Sequence, residues 1–370
     1  MTRWGGAIAG LALSFGVACS RTVPPPPPDT PFEWRLPRGL PKPLVPADNP
    51  MSTVKVALGR RLFYDTRLSG NQTYSCASCH QQAHAFTDGR AHAVGSTGQS
   101  HARSAMSLTN VAYNTTFGWA NPGVSSLEAQ MRIPMLNEHP IEMGAAGRQD
   151  EIVARFDTRG DRPWFEKSFP GDPHPVSFDN IIRAIAAFER TLVSADSPFD
   201  HYLYRDERTA IPESAVRGMK LFFSERLGCS SCHAGFNLSG AVNFVNAPRP
   251  VLSFSNTGLY DLDGKGAYPA TDRGLMDVTR RPQDMGRFRA PTLRNVALTA
   301  PYMHDGSVAT LGAAIAHYAS GGRGPLRADQ MTGFTISLAE KADLIAFLES
   351  LSDRTFTTNA ALADPAHDRQ

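Results

Sequence analysis

The chain has 370 residues, of which 41% are hydrophobic and 19% charged, and its formal net charge is +2 at pH 7. That length accommodates two domains of ordinary size, and the near balance of charge argues against nucleic acid as a partner and against strong electrostatic steering. Four of the five cysteines occur in two short motifs, so no pair is left to form a disulfide framework.

Residues 1–20 are predicted to form a secretory signal peptide. Arg3 supplies the positive charge and residues 8–18 the apolar run. The run is too short to span a membrane, and no other stretch of the chain is apolar enough to do so. Cys19 matches the modified residue of a lipoprotein signal, but Gly16 is unusual for that class. Export with a lipid anchor and export without one are therefore both left open.

Residues 21–50 are predicted to be a Pro-rich linker and N-terminal arm. Within them Pro24–Pro28 form a polyproline run, which adopts a stiff and extended conformation. Such a run suits a spacer between the export signal and a folded body.

Two domains are predicted to follow, over residues 51–205 and 206–355, with a tail over residues 356–370 that is frayed after Phe356. An internal repeat supports this division. The sequence Gly-Arg-Arg-Leu-Phe-Tyr stands at 59–64 and Gly-Met-Lys-Leu-Phe-Phe at 218–223. Such self-similarity indicates two related structural units.

Helical spacing of apolar residues dominates the rest of the chain. Helices are predicted over residues 52–64, 178–193, 310–319 and 338–351, and another from near residue 125. Residues 234–290, rich in Gly, Pro and Asp, are predicted to be mostly loop. No stretch shows the sustained alternation typical of a strand. The fold class is therefore predicted to be mainly α.

The pentapeptide Cys-x-x-Cys-His follows each copy of the repeat. It is the attachment motif of a c-type haem: the two thiols add to the haem vinyl groups, and the adjacent imidazole binds the iron. A zinc site would need four converging ligands, and a thioredoxin-like redox pair needs no histidine after its second cysteine, so both are weaker interpretations. The motifs predict two covalently bound haem c groups, one in each of two cytochrome c-like helical domains. The predicted haem-binding residues are Cys76, Cys79 and His80 in the first domain and Cys229, Cys232 and His233 in the second.

Further motifs resemble those of one bacterial family. Phe-Thr-Asp-Gly stands at 86–89 and Pro-Thr-Leu-Arg-Asn-Val-Ala-Leu-Thr-Ala-Pro-Tyr-Met-His-Asp-Gly at 291–306. With the two haem motifs, they make the chain resemble the bacterial dihaem cytochrome c peroxidase/MauG family over roughly residues 50–352. Gly-Trp-Ala-Asn-Pro at 118–122 and Asn-Glu-His-Pro-Ile-Glu-Met-Gly at 137–144 are most similar to the MbnH branch, MauG-like enzymes associated with methanobactin and copper-handling gene clusters.

The resemblance implies that the first haem, held by His80, binds hydrogen peroxide. Classical peroxidases of the family carry a removable distal histidine, whose position falls near Ser96 here. His84, His92 and His101 lie in this region and could substitute for it, but loop histidines are commonly solvated. The first haem is therefore expected to have an open coordination position.

The resemblance also implies an acid–base group, because splitting the peroxide bond needs a proton moved from its inner to its outer oxygen. Glu142 corresponds to the family's distal glutamate, with Gln130 and Pro134 lining the same pocket. Glu138 is the rival carboxylate, since this sequence has an insertion in that loop. The alternative for Glu142 is a purely structural role, as a helix cap or a surface acid.

By the same resemblance, Tyr318 is an axial ligand of the second haem. In the electron-accepting peroxidases a methionine at this position favours reduced iron and raises the potential. The family pattern, aligned on residues 311–318, has Tyr318 at that position, as MauG has a tyrosine, and a phenol oxygen favours oxidised iron instead. The alternative is that Tyr318 is a core aromatic and that the adjacent His317 is the ligand.

Three further features are implied by the resemblance. Trp119 matches an indole between the two haems, where it would relay electrons. A calcium ion is expected between the domains, on backbone oxygens of Thr299 and Pro301, although Ser104 replaces the family's asparagine ligand. Leu227 replaces the tryptophan through which MauG passes radicals to its protein substrate, so any path to a partner must leave elsewhere.

The leading prediction is a MauG-like oxidoreductase of the periplasm or cell envelope. It would use hydrogen peroxide to form a high-valent dihaem state that oxidises an exported partner protein, with a tryptophan converted towards kynurenine if the MbnH assignment holds. The alternative is a dihaem cytochrome c peroxidase that draws electrons from a small redox protein. A third class, a dihaem electron carrier, would need two six-coordinate, unreactive irons. Fold analogy does not choose among them, whereas the axial ligands do.

Overall fold

The computed structural model describes residue 1 and residues 23–248 and 252–366. The predicted signal peptide after Met1, including Cys19, lies outside the described residues. Among the residues described, no helix is long and apolar enough to cross a membrane. Residues 23–50 run as irregular chain up to the first helix, as predicted for the arm.

Helices are the main regular structure of the described residues, which confirms the mainly α class. They are α1 (Thr53–Phe63), α2 (Leu127–Leu136), α3 (Gln149–Phe156), α4 (Arg162–Ser168), α5 (Phe178–Glu189), α6 (Pro198–Tyr204), α7 (Glu213–Phe222), α8 (Met276–Thr279), α9 (Leu311–Ala319), α10 (Leu338–Ser350) and α11 (Arg354–Thr358). A short antiparallel pair joins β1 (Phe254–Ser255) to β2 (Phe288–Arg289).

The helices predicted most clearly from the sequence begin at capping side chains. Ser52, Ser177, Thr310 and Ser337 each accept a backbone hydrogen bond from the first turn of α1, α5, α9 and α10. These caps satisfy N–H groups that have no partner inside the helix. The apolar stripe and the cap act together, so the starts of these helices follow from local sequence.

Both halves of the chain pair two helices through a glycine at the crossing. Gly59 of α1 lies so close to Ala184 O of α5 that an added Cβ would overlap it, and Gly218 of α7 lies equally close to Asp343 O of α10. No side chain fits at either crossing, which is why glycine is required there. These glycines are the first residues of the two copies of the internal repeat. The repeat therefore corresponds to the same close packing of two helices in each half of the chain.

The helix α6, which precedes the predicted boundary at residue 205, packs against the second half of the chain. Phe199 belongs to the second hydrophobic core, with its ring centroid 5.5 Å from that of Phe347. Asp200 forms a buried ion pair with Arg294, with 2.9 Å between Oδ1 and Nη1. Because a helix of seven residues cannot bury its apolar side chains by itself, α6 packs them against the second hydrophobic core.

The C-terminal tail returns to the first domain, and the prediction of a frayed tail is wrong for residues 357–366. Phe356 is buried, and its ring centroid lies 5.4 Å from that of Phe86. The Tyr64 hydroxyl donates to Leu362 O at 2.7 Å, and Arg60 Nε donates to Ala363 O at 2.6 Å. The apolar side chains of the tail complete the hydrophobic core around α1. Local sequence cannot reveal this contact, because it joins residues near opposite ends of the chain.

The change Phe356→Ala is expected to destabilise the protein by about 3–5 kcal/mol, the usual cost of removing a buried aromatic ring from a core. Thermal unfolding of the purified protein measures this as a lower midpoint. Thr358→Ala is the control, because Thr358 lies on the same helix but is exposed. Equal midpoints for the two variants would contradict a structural role for the tail.

Buried asparagines join the two halves. Asn110 Nδ2 donates to Ser194 O and to Asn237 Oδ1, both at 3.0 Å, and Asn295 Nδ2 donates to Ser194 Oγ at 3.0 Å. Buried polar groups need such partners, so the network holds the halves in one relative position. Asn110 and Asn295 end the similar segments 106–110 and 291–295, a second repeat that the sequence analysis missed.

Candidate functional site

Each Cys-x-x-Cys-His motif folds into a short 3₁₀ turn, Cys76–Ser78 in the first domain and Cys229–Ser231 in the second. The amide of His80 donates to Cys76 O at 3.0 Å, and that of His233 donates to Cys229 O at 3.1 Å. The histidine therefore follows the first cysteine by one turn in both domains. This geometry keeps two thiols and an imidazole on one side of a compact turn.

The two histidines are held in the same tautomer. His80 Nδ1 lies 2.9 Å from Phe86 O, and His233 Nδ1 lies 3.1 Å from Leu238 O. Since a carbonyl only accepts, each Nδ1 carries the proton and each Nε2 is left with the lone pair that an iron needs. Burial also lowers the pKa of both rings, which favours the neutral form that binds metal.

The carbonyl groups that orient these rings come from strained turns. Phe86 has φ +61° and Leu238 has φ +46°, a left-handed conformation that costs an L-residue about 1–2 kcal/mol. Both side chains are almost fully buried, so core packing holds the turns in place. In both domains, therefore, the carbonyl of a residue in the left-handed conformation orients the haem-binding histidine.

A large cavity opens beside the second motif, lined by Cys229, Cys232, His233 and Tyr318. Burial raises the pKa of the Tyr318 phenol to about 12, and the two neighbouring thiols add to that shift. Among the described residues the Tyr318 hydroxyl has no hydrogen-bond partner. The helix α9 thus brings a phenol oxygen into the cavity that holds the second histidine.

His317, the alternative ligand, points elsewhere. Its Nε2 lies 2.9 Å from Thr257 O, and its ring lines a separate surface cleft with Tyr260, Ser307 and Arg323. Adjacent residues on a helix face different directions, so only one of the pair can enter the cavity. The structure brings Tyr318, and not His317, to the second haem motif.

The wall of this cavity contains a buried cation that lacks a carboxylate. Arg289 is 3% exposed, and its guanidinium contacts Gly118 O and Asn114 Oδ1 at 3.3 Å and Met106 Sδ at 3.6 Å. Burial lowers the pKa of Arg289 to about 10, and no carboxylate of the described residues pairs with it. Buried charges are normally paired. A haem fits here, because one of its propionate carboxylates would neutralise Arg289.

Trp119 lies where the two halves meet. Its Nε1 donates to Ser104 O at 3.1 Å, and its own carbonyl accepts from the Arg289 amide at 2.8 Å. Its indole lines the second cavity together with Met106 of the first half. The backbone of Met106 also lies beside the His80 ring, so Met106 contacts the surroundings of both haem motifs, and Trp119 lines the cavity of the second.

Glu142 lies beside the first motif. Burial, and then the negative charges of Asp88 and Glu142, raise the pKa of the Cys79 thiol, which shows that the Glu142 carboxylate is near that cysteine. One third of the Glu142 side chain is accessible, yet desolvation raises its pKa to about 7. The rival Glu138 is exposed. The geometry therefore favours Glu142 as the carboxylate of the first haem site.

Of the three loop histidines that could substitute for the distal ligand, the structure brings His101 to this site. His101 Nδ1 lies 3.8 Å from Glu142 Oε1, whereas His84 and His92 are exposed. His101 Nε2 and Ser96 Oγ are buried without a hydrogen-bond partner among the described residues. Two such atoms near a carboxylate leave hydrogen-bonding capacity for a polar ligand. The expectation that these loop histidines are solvated therefore fits His84 and His92 but not His101.

Gln130 and Pro134 lie one turn apart on α2 and are both partly buried. Residues four apart share a helix face, and Pro134 O accepts from the Met143 amide at 2.9 Å. That bond ties α2 to the segment that carries Glu142. The three predicted residues of the peroxide pocket therefore belong to one packed unit.

The residues expected to bind calcium offer few side-chain ligand atoms for the ion. Thr299 and Pro301 line the second cavity, and the Ser104 hydroxyl donates to His304 O at 3.3 Å. No group of three or more His, Cys, Asp or Glu side chains that could hold a metal occurs within the described ranges. A calcium ion at Thr299 and Pro301 would therefore rest on backbone oxygens and water.

Comparison with known proteins agrees with this geometry. A family model described as di-haem cytochrome c peroxidase matches residues 53–208, and one described as cytochrome c matches residues 215–352. The methylamine utilization protein MauG of Methylorubrum extorquens is 35% identical, over 86% of this chain and 83% of that protein. Cytochrome c551 peroxidase of Pseudomonas aeruginosa is 34% identical, over 82% of this chain and 80% of that protein. The crystal structure of a MauG-like protein associated with microbial copper homeostasis matches with a TM-score of 0.88 and 47% identity, covering 90% of this chain and 99% of that one.

Proposed function

We propose that this chain, which belongs to the di-haem cytochrome c peroxidase (MauG) family, uses hydrogen peroxide to oxidise a partner protein. Membership of the family makes it a haem-dependent oxidoreductase. The observation that carries the proposal is the position of Tyr318 in the cavity of the second haem motif. An oxygen ligand there favours oxidised iron, whereas the methionine of an electron-accepting peroxidase favours reduced iron.

The proposed functional residues form two sites, one at each haem motif. When bound, haem c supplies the redox chemistry, the two-electron reduction of hydrogen peroxide to water. His80 and His233 each offer Nε2 to an iron, oriented by the hydrogen bonds to Phe86 O and Leu238 O. Glu142, whose pKa of about 7 suits proton exchange near neutral pH, accepts a proton from peroxide and returns it to the departing oxygen.

Trp119 and Arg289 serve the second site. The indole of Trp119 carries electrons from one site to the other. Arg289 binds a propionate and, through the bonds of its side chain to Gly118 O and of its amide to Trp119 O, holds the indole against the cavity. Covalent attachment through the four motif cysteines belongs to the same proposal.

The finer proposal concerns the partner. We propose an exported, copper-handling partner, which the 47% identity to a MauG-like protein associated with microbial copper homeostasis supports. The reaction proposed on that partner is the conversion of a tryptophan towards kynurenine. Export to the periplasm or cell envelope, with or without a lipid on Cys19, belongs to this proposal. So does a calcium ion at Thr299 and Pro301, which elemental analysis of the purified protein measures directly.

A second candidate function is a conventional peroxidase that draws electrons from a small redox protein. His101 favours it, because its buried Nε2 has no partner among the described residues, while its Nδ1 lies 3.8 Å from Glu142 Oε1. If that nitrogen binds the first iron, peroxide can enter only after reduction releases it. The two functions therefore differ in the resting state of the first haem.

EPR spectroscopy of the purified diferric protein distinguishes the two functions. We expect one high-spin and one low-spin signal, because His80 alone would hold the first iron, whereas both His233 and Tyr318 would hold the second. Hydrogen peroxide should then react without prior reduction. Two low-spin signals in the wild type, with a high-spin signal appearing in His101→Ala, would instead support the conventional peroxidase.

A further inference from the structure

Oxidising equivalents generated in a buried cavity must reach a partner at the surface. Leu227 lines the second cavity and is 6% exposed, and its aliphatic side chain carries no electron. Electron transfer through a protein proceeds most readily between aromatic side chains in contact. The exit is therefore to be sought where aromatic residues connect the cavity to the surface.

Such a connection begins at Trp119. The indole packs against a buried cluster formed by Ala120, Leu259, Tyr268 and Phe288, and Tyr260 packs against the same cluster. Trp119 and Phe288 line the second cavity, whereas Tyr260 lines the surface cleft beside α9. The cluster thus separates the haem cavity from the surface by one layer of side chains.

The aromatic rings of this layer are in contact. The ring centroids of Phe288 and Tyr268 are 6.2 Å apart, and those of Tyr268 and Tyr260 are 5.4 Å apart with an edge-to-face angle of 72°. These separations are those of ordinary aromatic pairs. A series of rings therefore runs from the wall of the cavity to Tyr260.

Only one of the two tyrosines has a base beside its hydroxyl. The Tyr260 hydroxyl donates to Asp305 Oδ2 at 2.5 Å. The Tyr268 hydroxyl donates instead to Asn256 Oδ1 at 2.7 Å, and a side-chain amide does not accept a proton. An oxidised phenol is a strong acid, so a tyrosine gives up an electron readily only where its proton has an acceptor. Tyr260 meets that condition and Tyr268 does not.

The carboxylate is available for this role. Burial alone would raise the pKa of Asp305, but hydrogen bonds from Tyr260 and from Ser307 outweigh it and hold that pKa below its ordinary value. The same hydrogen bond raises the pKa of Tyr260 to about 12. Near neutral pH the pair is therefore a protonated phenol facing a charged carboxylate.

We propose that Tyr260 is the residue through which electrons enter from the partner protein, with Asp305 as its proton acceptor. Tyr260 gives one electron through Tyr268 and Phe288 towards Trp119, while its O–H bond breaks and the proton passes to Asp305. It then takes one electron from the partner and recovers the proton from Asp305. Hydrogen peroxide is the oxidant, and its two-electron reduction requires two such cycles. The inference rests on the proposed function.

The test compares Tyr260→Phe with the wild type and with Tyr202→Phe. Tyr202 is also partly exposed, but its ring lies 5.4 Å from the Arg208 guanidinium, a cation that accepts no proton. Each holoprotein receives one equivalent of hydrogen peroxide without a partner and is frozen for EPR spectroscopy. Parallel samples carry ring-deuterated tyrosine, which narrows the signal of a tyrosyl radical.

We expect a tyrosyl signal in the wild type and in Tyr202→Phe, and its loss in Tyr260→Phe with unchanged resting haem spectra. Asp305→Asn should also lose the signal, because asparagine retains a hydrogen-bonding oxygen but accepts no proton. A full tyrosyl signal in Tyr260→Phe would overturn the inference, as would the absence of any tyrosyl signal in a wild type that consumes peroxide. A wild type that consumes no peroxide would overturn the proposed function itself.

Discussion

The variant Glu142→Gln is expected to react with hydrogen peroxide about 10²–10⁴-fold more slowly than the wild type, the range that a positioned acid–base group contributes. Glutamine has nearly the same size and still forms hydrogen bonds, but it neither accepts nor returns the proton that must move between the two peroxide oxygens. Stopped-flow absorbance of the holoprotein after mixing with hydrogen peroxide measures the rate. The effect is expected to be large because Glu142 is one of two carboxylates of the described residues that act on Cys79, and desolvation raises its pKa to about 7.

The pH dependence of the reaction with hydrogen peroxide provides a second test of Glu142. Glu142 must be ionised to accept a proton, and desolvation raises its pKa to about 7. The rate in the wild type should therefore rise with pH up to about 7 and then level off, whereas Glu142→Gln should lack this rise. His101, at 3.8 Å, is the other titratable group facing the carboxylate, and burial lowers its pKa.

Glu138→Gln is the matched control, because Glu138 is the exposed carboxylate of the same loop. It should retain both the wild-type rate and its pH profile. If Glu138→Gln instead lost the rate while Glu142→Gln kept it, the assignment of the proton-transfer group would be wrong.

The variant Tyr318→Met is expected to raise the reduction potential of the second haem by on the order of a few tenths of a volt, within the roughly 0.8 V that axial ligands command. A thioether stabilises reduced iron, whereas a phenolate oxygen stabilises oxidised iron. Oxidation of a partner without prior reduction should be lost, since the second site would then hold electrons instead of supplying oxidising equivalents. Redox titration followed by optical spectroscopy measures the potential.

The control for Tyr318 is its neighbour on α9. His317→Gln removes the contact with Thr257 O but leaves the phenol in the cavity, so the potential of the second haem should stay close to that of the wild type. A large shift in His317→Gln together with none in Tyr318→Met would show that the imidazole is the ligand. If Tyr318 is the ligand, its phenol would lose its proton on binding ferric iron, because ligands must be deprotonated to bind a metal.

Several features of the site follow from short stretches of sequence. The haem motifs are recognisable because their chemistry is local: Cys76, Cys79 and His80 lie within five positions, and one turn of backbone brings them together. The helix α9 is predictable because an apolar stripe and the Thr310 cap coincide. Such features depend on spacings that the backbone itself imposes.

Other assignments needed the packing of distant segments. Residues Tyr318 and His317 are adjacent, and only the orientation of α9 against the second motif decides which side chain enters the cavity. The carboxylates Glu138 and Glu142 share one loop, and only its packing beside Cys79 leaves one exposed and desolvates the other.

The sequence by itself therefore determined the two haem motifs, the main helices and the family resemblance, since each of these is encoded in residues close together along the chain. Tertiary structure alone decided the return of the tail to the first core, the burial of Arg289 in the cavity wall and the contact of Tyr260 with Asp305. The physical reason is the same in each case. These contacts join residues tens to hundreds of positions apart, and their energy depends on how whole helices and loops pack, which no local pattern records.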